Sequence, residues 1–371
     1  MLLSELQNKC RGAIVGGAVG DALGYEVEFL SLAAIRKRFG KKGISRYVLH
    51  GDGVALFSDD TQMSLFTLEG LMNGAVATNA GPVEAILPYI EKAYLSWYRT
   101  QTEGPKPLPG SWLGNIRALW ARRAPGLTCM GALENIAAGS LADNNSKGCG
   151  GAMRVAPIGL FCAAHSDIYT LTDAARLAGL SAEITHKHIA STFASALLAA
   201  IVMKCIQACS VDRAQFFRIV EDSLAVLGEN FPNHDRELQN FDSLIRRALE
   251  LGRSDVDQNE AILELGEGWV GDEAVAIAIF SAMRHIDNFE DCIVCAVNHD
   301  GDSDSTGAIA GNIIGAILGY SAIPACYLDT LEISPVLISA ADDLSSALST
   351  PRLTTRYHNH LPDGVAGEYL I

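Results

Sequence analysis

Between Asp300 and Thr306 the chain sets three aspartates and three hydroxyl side chains in seven positions, and an apolar run of small residues, Ala308 to Gly319, follows without a break. No other stretch constrains the fold as strongly. Small residues at this density let neighbouring helices approach closely and hold the run in place. Carboxylates crowded at its entrance repel one another unless something positive lies among them. Hard oxygen donors of this kind suit Mg²⁺, Mn²⁺ or Ca²⁺. The first expectation is a metal held at the mouth of a buried helix.

A second acidic stretch echoes the first. Ser58-Asp59-Asp60-Thr61 leads into Leu65, Phe66, Leu68, Leu71 and Met72, which have helical spacing. Ser and Asp are favoured at helix starts, where they accept hydrogen bonds from otherwise unpaired N–H groups. One side chain is enough for that purpose, and three in a row leave a surplus. Earlier in the chain, Leu6, Cys10, Ala13, Ile14, Gly17 and Ala18 mark a glycine-containing helix from Leu3 to about Leu23, and Asp21 and Glu28 flank Gly24 at its exit. A lone aspartate there reads as solvated or capping.

Helical sequence continues at 82–99, with Pro88 expected to kink it. The proline- and glycine-rich stretch 101–114 is a candidate lid or pocket rim. In Gly148-Cys149-Gly150-Gly151-Ala152-Met153-Arg154 the glycines allow backbone N–H groups near a ligand, and Lys147 or Arg154 is a candidate for phosphate. The spacing is not that of a phosphate-binding P-loop. His186 and His188 are two apart and point in different directions, so one faces a ligand and the other is a surface residue. Trp269, in a glycine-flanked turn, is either a core residue or a stacking surface. Further helices are expected at 171–209, 212–228, 238–252, 272–285 and 289–298.

No segment alternates with a period of two between hairpin turns, so the fold class is all-α. One domain is expected over 1–350, with a polar extension at 351–371 that holds His358 and His360 and has no assignable role. The formal net charge of −15 argues against a nucleic-acid or anionic-membrane binder. Nine scattered cysteines form no disulfide or zinc framework. The pairs Cys205/Cys209 and Cys292/Cys295 read as buried free thiols of a protein in a reducing cytoplasm. The apolar runs at 190–203 and 307–323 are too short or too polar to read as membrane spans.

Taken together, Gly16-Gly17-Ala18-Val19-Gly20-Asp21-Ala22-Leu23-Gly24 with Glu28, Ser58-Asp59-Asp60-Thr61, Gly148 to Arg154, Thr185-His186 and Asp302-Ser303-Asp304-Ser305 resemble the ADP-ribosylglycohydrolase family. Its best-known branch is the dinitrogenase-reductase-activating glycohydrolases. The motifs stand in family order across residues 12 to 319. The resemblance implies an all-helical bundle whose central cleft holds two Mg²⁺ or Mn²⁺ ions. Ser58, Asp59 and Asp60 would ligate one ion with Asp304, and Asp302, Asp304 and Ser305 the other, which makes Asp304 the bridge. Ser58 and Ser305 stand where relatives often carry threonine and keep the hydroxyl donor. Asp300 stands where glycine is common.

The same resemblance implies that ribose hydroxyls face the metals and that the diphosphate meets the N–H groups of Gly150 and Gly151. His186 becomes a ribose-side hydrogen-bond donor. Glu28 matches a mobile acidic residue of the family, and Glu28, Asp59 or Asp60 would take the proton of the attacking water. Trp269 as a wall beside the adenosine is our own addition. The implied substrate is ADP-ribosylated protein, with ADP-ribose as product. Arginine is the first choice of linkage, and serine or another O-linkage the alternative. A different class of role is a contact inhibitor of a cognate ADP-ribosyltransferase.

Overall fold

The first helix, Leu3–Gly24, and the helix Ser303–Leu318 run antiparallel with their backbones touching. Glycines recur every fourth residue on both facing surfaces. A β-carbon built on Gly12 would lie 2.4 Å from the Gly315 carbonyl oxygen, on Gly16 2.6 Å from that of Gly311, and on Gly20 1.9 Å from that of Gly307. The seam ends where Gly24 meets the Ser303 carbonyl at 2.1 Å by the same construction. Glycines at i, i+4, i+8 lie along one ridge of a helix, so removing their side chains lets two ridges close on each other. The buried Asn312 side chain spans the seam and donates to the Ala13 carbonyl at 2.9 Å. Antiparallel pairing brings the exit of the first helix beside the entrance of the second, and both carry carboxylates.

The computed structural model describes residues 2–51, 53–359 and 369–371, with seventeen α-helices and, among these residues, only isolated β-bridges. The all-α class is observed. The helix Ile189–Gln207 runs through the interior, and nearly every side chain from Ala190 to Ile206 is buried. It is long and apolar enough to cross a membrane by length and composition, but the surrounding helices enclose it, as a helix apolar on all sides requires. Lys9 of the first helix is buried, and its ammonium donates to the carbonyls of Cys205, Ile206 and Ala208 at 3.0, 3.4 and 2.6 Å. A cation at a helix C-terminus satisfies unpaired carbonyls and matches the dipole, so it offsets its own desolvation. At the other end His188 caps the helix, its Nδ1 accepting from Ala190 N at 3.0 Å.

Several local expectations need revision. The helix Val83–Thr102 holds Pro88 in its interior and ends three residues beyond the expected 99. The stretch 101–114 is no rim of the cleft described below. The buried Glu69 carboxylate pins it by accepting from the Ser111 hydroxyl and the N–H groups of Trp112 and Leu113, at 2.6, 2.7 and 3.1 Å. Of the four paired cysteines, Cys205, Cys292 and Cys295 are buried, whereas Cys209 is exposed. The boundary drawn at residue 350 falls inside packed structure: Leu353, Arg356 and Tyr357 are buried. There Arg356 pairs with Asp343 and lies over the Trp112 ring, and the Tyr357 hydroxyl donates to Asp343 at 2.7 Å. Polar residues were read as surface, but these satisfy one another inside. His360 lies outside the described residues.

The seam makes a direct prediction. Gly311→Ala places a methyl group against the Gly16 backbone, which has no rotamer to give way, and a cost of about 1–3 kcal/mol is expected. Gly131→Ala, in a helix where nothing lies within 4 Å of the new atom, should be neutral or stabilising. Urea unfolding of the two variants checks this, and equal midpoints would contradict the seam.

Candidate metal and substrate cleft

Asp21 lies one turn before the end of the glycine seam and is fully buried. Its carboxylate reaches the second motif, accepting from Ser58 N at 2.8 Å, from Thr61 N at 2.9 Å and from the Thr61 hydroxyl. It is a cap, but for the helix Asp59–Thr78 and not its own. Ser58 completes the turn by accepting from Asp60 N at 3.2 Å. Asp59 is held twice: its N–H donates to the Arg123 carbonyl at 3.0 Å, and its Oδ2 accepts from Gly126 N at 3.1 Å. Asp302 caps the helix Ser303–Leu318, its Oδ1 accepting from Ser305 N at 3.3 Å. The Asp302 N–H in turn donates to the Glu267 carbonyl at 2.8 Å. That approach requires glycine at 301, where φ is +139° and a β-carbon would lie 2.0 Å from the same oxygen.

These elements bring five carboxylates together. One oxygen each from Glu28, Asp302 and Asp304 lies within 4.8 Å of the others, and Asp59 and Asp60 share the same cleft. All five are buried. Burial, reinforced by the charge of Asp304, pushes Glu28 up to about 10 and Asp21 to about 7, and raises Asp60 and Asp302 well above the usual carboxylate range. Asp59 is also raised well, chiefly by burial and against its bond from Gly126. Asp304 contributes repulsion to every other member, as a carboxylate at the centre of the group must. Glu28 Oε2 and Asp60 Oδ2 are buried without a hydrogen-bond partner. An orphaned polar oxygen costs about 1–3 kcal/mol, more when charged, and a hard divalent cation removes both the orphaning and the repulsion. The donor set fits the metal centre that the two motifs imply.

The carboxylates lie at the inner end of a cleft of about 750 Å³. Ser305, Gly148, Cys149, Gly150 and His186 also line it. Phe29 and Trp269, 74% and 39% exposed, stack at its mouth with ring centres 5.9 Å apart. Trp269 is therefore a rim residue, not a core one. Its carbonyl accepts from Cys149 N at 3.2 Å, which ties the rim to the glycine turn. Ser58 and Gly151 do not line the cleft. Ser58 is the buried cap, and a β-carbon on Gly151 would meet the Ser191 hydroxyl at 2.4 Å, so this glycine faces helix packing.

His186 is buried, and burial followed by the nearby Arg154 lowers it to about 3. It is neutral at physiological pH. Arg154 donates to Thr185 Oγ1 at 2.7 Å, and this hydroxyl lies 2.9 Å from His186 Nδ1. The Thr185 hydroxyl proton has two acceptors, Nδ1 and the more distant Ala182 carbonyl at 3.5 Å, and donation to the nearer Nδ1 leaves Nε2 as an N–H donor. Arg154 is thus no phosphate ligand. It is fully buried, 4.2 Å over the Tyr94 ring, and also donates to the Ser181 carbonyl at 3.2 Å. Lys147 is exposed and does not line the cleft.

Sequence reasoning missed three contributors. Phe29, adjacent to Glu28, carries no local pattern that separates it from a stray surface aromatic. The loop 121–126 and the first turn of the helix Leu127–Ala137 supply the rim expected at 101–114. Arg123 anchors it through paired bonds to Glu332, both 3.0 Å, and a bond to the Phe57 carbonyl, and Arg122 and Leu127 line the cleft. Cys149 touches Asp302 Oδ2 at 2.8 Å. The run Ala124-Pro125-Gly126 was the available signal for this turn.

A family model described as ADP-ribosylglycohydrolase matches residues 3–354. The ADP-ribosylhydrolase ARH3 of Danio rerio is 24% identical over 365 residues, covering 94% of this chain and 90% of that protein. The ADP-ribosylarginine hydrolase Tri1 of Serratia proteamaculans (strain 568) is 26% identical over 348 residues, covering 92% and 80%. A solved ADP-ribosylglycohydrolase-related protein complex shares the fold, with a TM-score of 0.62 at 24% identity over 92% of this chain and 98% of that one. With the family match running from the first helix through the packed C-terminal turn, the chain belongs to the ADP-ribosylglycohydrolase family of glycosyl-bond hydrolases.

Proposed function

We propose that this cleft releases ADP-ribose from modified protein side chains, with arginine as the linkage. One observation carries the reading. Two acidic motifs from opposite ends of the chain converge on one end of a cleft whose mouth is aromatic, and buried carboxylate oxygens there have no partner. The arginine linkage is supported by the likeness to the ADP-ribosylarginine hydrolase of Serratia proteamaculans. It is also supported by charge, since a guanidino leaving group suits an acidic surround.

In this reading Asp59 and Asp60 with Asp304 hold one divalent cation, with Ser58 fixing their turn as its cap, and Asp302, Asp304 and Ser305 hold a second, Mg²⁺ or Mn²⁺. When bound, such ions neutralise the cluster, orient ribose hydroxyls and acidify a water. The remaining work falls to the side chains. Substrate ribose lies at the carboxylates, the diphosphate runs along the turn at Gly150 with Gly151 behind it, and the adenine stacks on Trp269 and Phe29. His186, fixed as a neutral Nε2 donor, offers one hydrogen bond to the ribose side without adding charge.

Breaking the C1″–N bond places oxocarbenium-like charge on the ribose, which the surrounding carboxylates stabilise. Water adds at C1″ and gives up a proton. Glu28 and Asp60 each have an uncommitted buried oxygen for it, whereas Asp59 already accepts from Gly126. Glu28 follows the seam on a short turn and lines the cleft.

Matched ADP-ribosyl-arginine and ADP-ribosyl-serine peptides, each with Mg²⁺ or with chelator, test the proposal. Release from the arginine peptide that chelator abolishes is the expected result. Release from the serine peptide alone would overturn the linkage, and no release from either at any metal level would overturn the activity. Trp269→Ala should raise KM about tenfold with a smaller change in kcat, since base–aromatic stacking contributes about 1–3 kcal/mol. Steady-state kinetics checks this, and an unchanged KM would remove the tryptophan from the binding surface.

A further inference from the structure

Sulfur atoms gather on one wall of the acidic cleft. Cys129, Cys149 and Met153 all line it. Cys149 Sγ lies 2.8 Å from Asp302 Oδ2 and 3.4 Å from Ser305 Oγ, and Met153 Sδ is 3.9 Å from the same hydroxyl. The Cys149 position is fixed by its N–H bond to the Trp269 carbonyl, so the sulfur is built into the wall. The unpartnered Asp60 oxygen, on a residue only 3% exposed, marks the same cavity as lacking a positive ligand. Cys129 is the less suitable sulfur for a cation, because the Arg154 guanidinium lies 3.5 Å from it.

We propose that Cys149 makes the Asp302–Ser305 side of the cluster thiophilic, so that a soft divalent cation such as Cd²⁺ binds there through the Cys149 sulfur together with carboxylate oxygens. The inference rests on the reading of this cleft as a cation site. Hard ions prefer oxygen, so with Mg²⁺ the thiol keeps its proton and donates to Asp302. A soft ion forms a bond to sulfur instead. The Cys149 S–H proton then leaves to solvent, one S–Cd bond forms, and no electron is transferred. Sulfur thereby discriminates between metals at a site whose other donors are oxygen, and a thiophilic ion would displace the hard one.

The experiment uses the full chain and Cd²⁺ itself. Ultraviolet difference spectra of the wild type should show sulfur-to-cadmium charge transfer that Cys149→Ser lacks, and Cd²⁺ affinity should fall about 10- to 100-fold in the variant. Exposed Cys209 and Cys326 contribute equally to both proteins and cancel in the difference. A ¹¹³Cd resonance in the range of mixed sulfur–oxygen ligation, recorded with Cys209→Ser and Cys326→Ser so that the exposed thiols are absent, supports the proposal even if the Cys149 variant folds poorly, and an all-oxygen resonance overturns it. Identical Cd²⁺ spectra for wild type and variant also overturn it. If the wild type binds Mg²⁺ or Mn²⁺ but shows no cleft thiolate band, this inference alone falls. If it takes up none of Mg²⁺, Mn²⁺ and Cd²⁺ in the cleft, the metal reading of the function falls with it.

Discussion

The backbone contact between Leu3–Gly24 and Ser303–Leu318 is the constraint on which the rest depends. Two helices far apart in sequence are held at a separation that admits no β-carbon at four positions spaced four residues apart, Gly12, Gly16, Gly20 and Gly24. The contact fixes register as well as distance, because each glycine faces a carbonyl oxygen of its partner. Moving either helix by one residue would drive a side chain into that oxygen. The register sets Asp21 and Glu28 beside Asp302 and Asp304. Asp21 then carries the geometry onward to Ser58 and Thr61, so the second acidic motif is positioned by the first helix. A packing decision made by small residues becomes the coordinate frame of a polar site.

Without a cation such a site opposes the stability of the fold. Five carboxylates are buried together, two of their oxygens have no partner, and burial and mutual repulsion raise Glu28, Asp59, Asp60 and Asp302. Both motifs also lie at helix N-termini, where the dipole favours the carboxylates and opposes the cations they collect. About half a unit of positive charge is a small opposition against several carboxylates, and it helps keep them ionised. Cation binding to the folded state alone stabilises it by mass action. The deep glycine seam and the enclosed Ile189–Gln207 helix supply the rigidity that holds such a cluster in place before it is filled.

Much of this was legible in the chain, for physical reasons. Asp302-Ser303-Asp304-Ser305 and Ser58-Asp59-Asp60 each offer more oxygen donors than a helix cap uses, and surplus donors point to a ligand. Glycines inside apolar helical sequence point to close neighbours, which Gly16 and Gly311 are. What was hidden depends on direction, which local pattern does not carry. Arg154 follows a glycine turn and so resembles a phosphate ligand, but it points inward to Tyr94 and Thr185. Phe29 gains meaning only from Trp269, a distant part of the chain. Arg356 and Tyr357 are polar and near the end, and distant partners such as Asp343, Ser339 and Trp112 explain their burial. The proline- and glycine-rich stretch 101–114 looks like a rim, but Glu69 pins it elsewhere and Arg123 anchors the rim that the sequence did not reveal.

Asp304 is the residue at which the whole account meets, since its charge bears on every other acidic member of the cluster. Anomalous scattering from Mn²⁺ in crystals of the wild type and of Asp304→Ala tests it most directly. The account predicts two peaks in the wild type, one beside Asp59 and Asp60 and one beside Asp302 and Ser305, with both weakened in the variant. Two peaks of undiminished occupancy in Asp304→Ala, or none among these residues in the wild type, would contradict it.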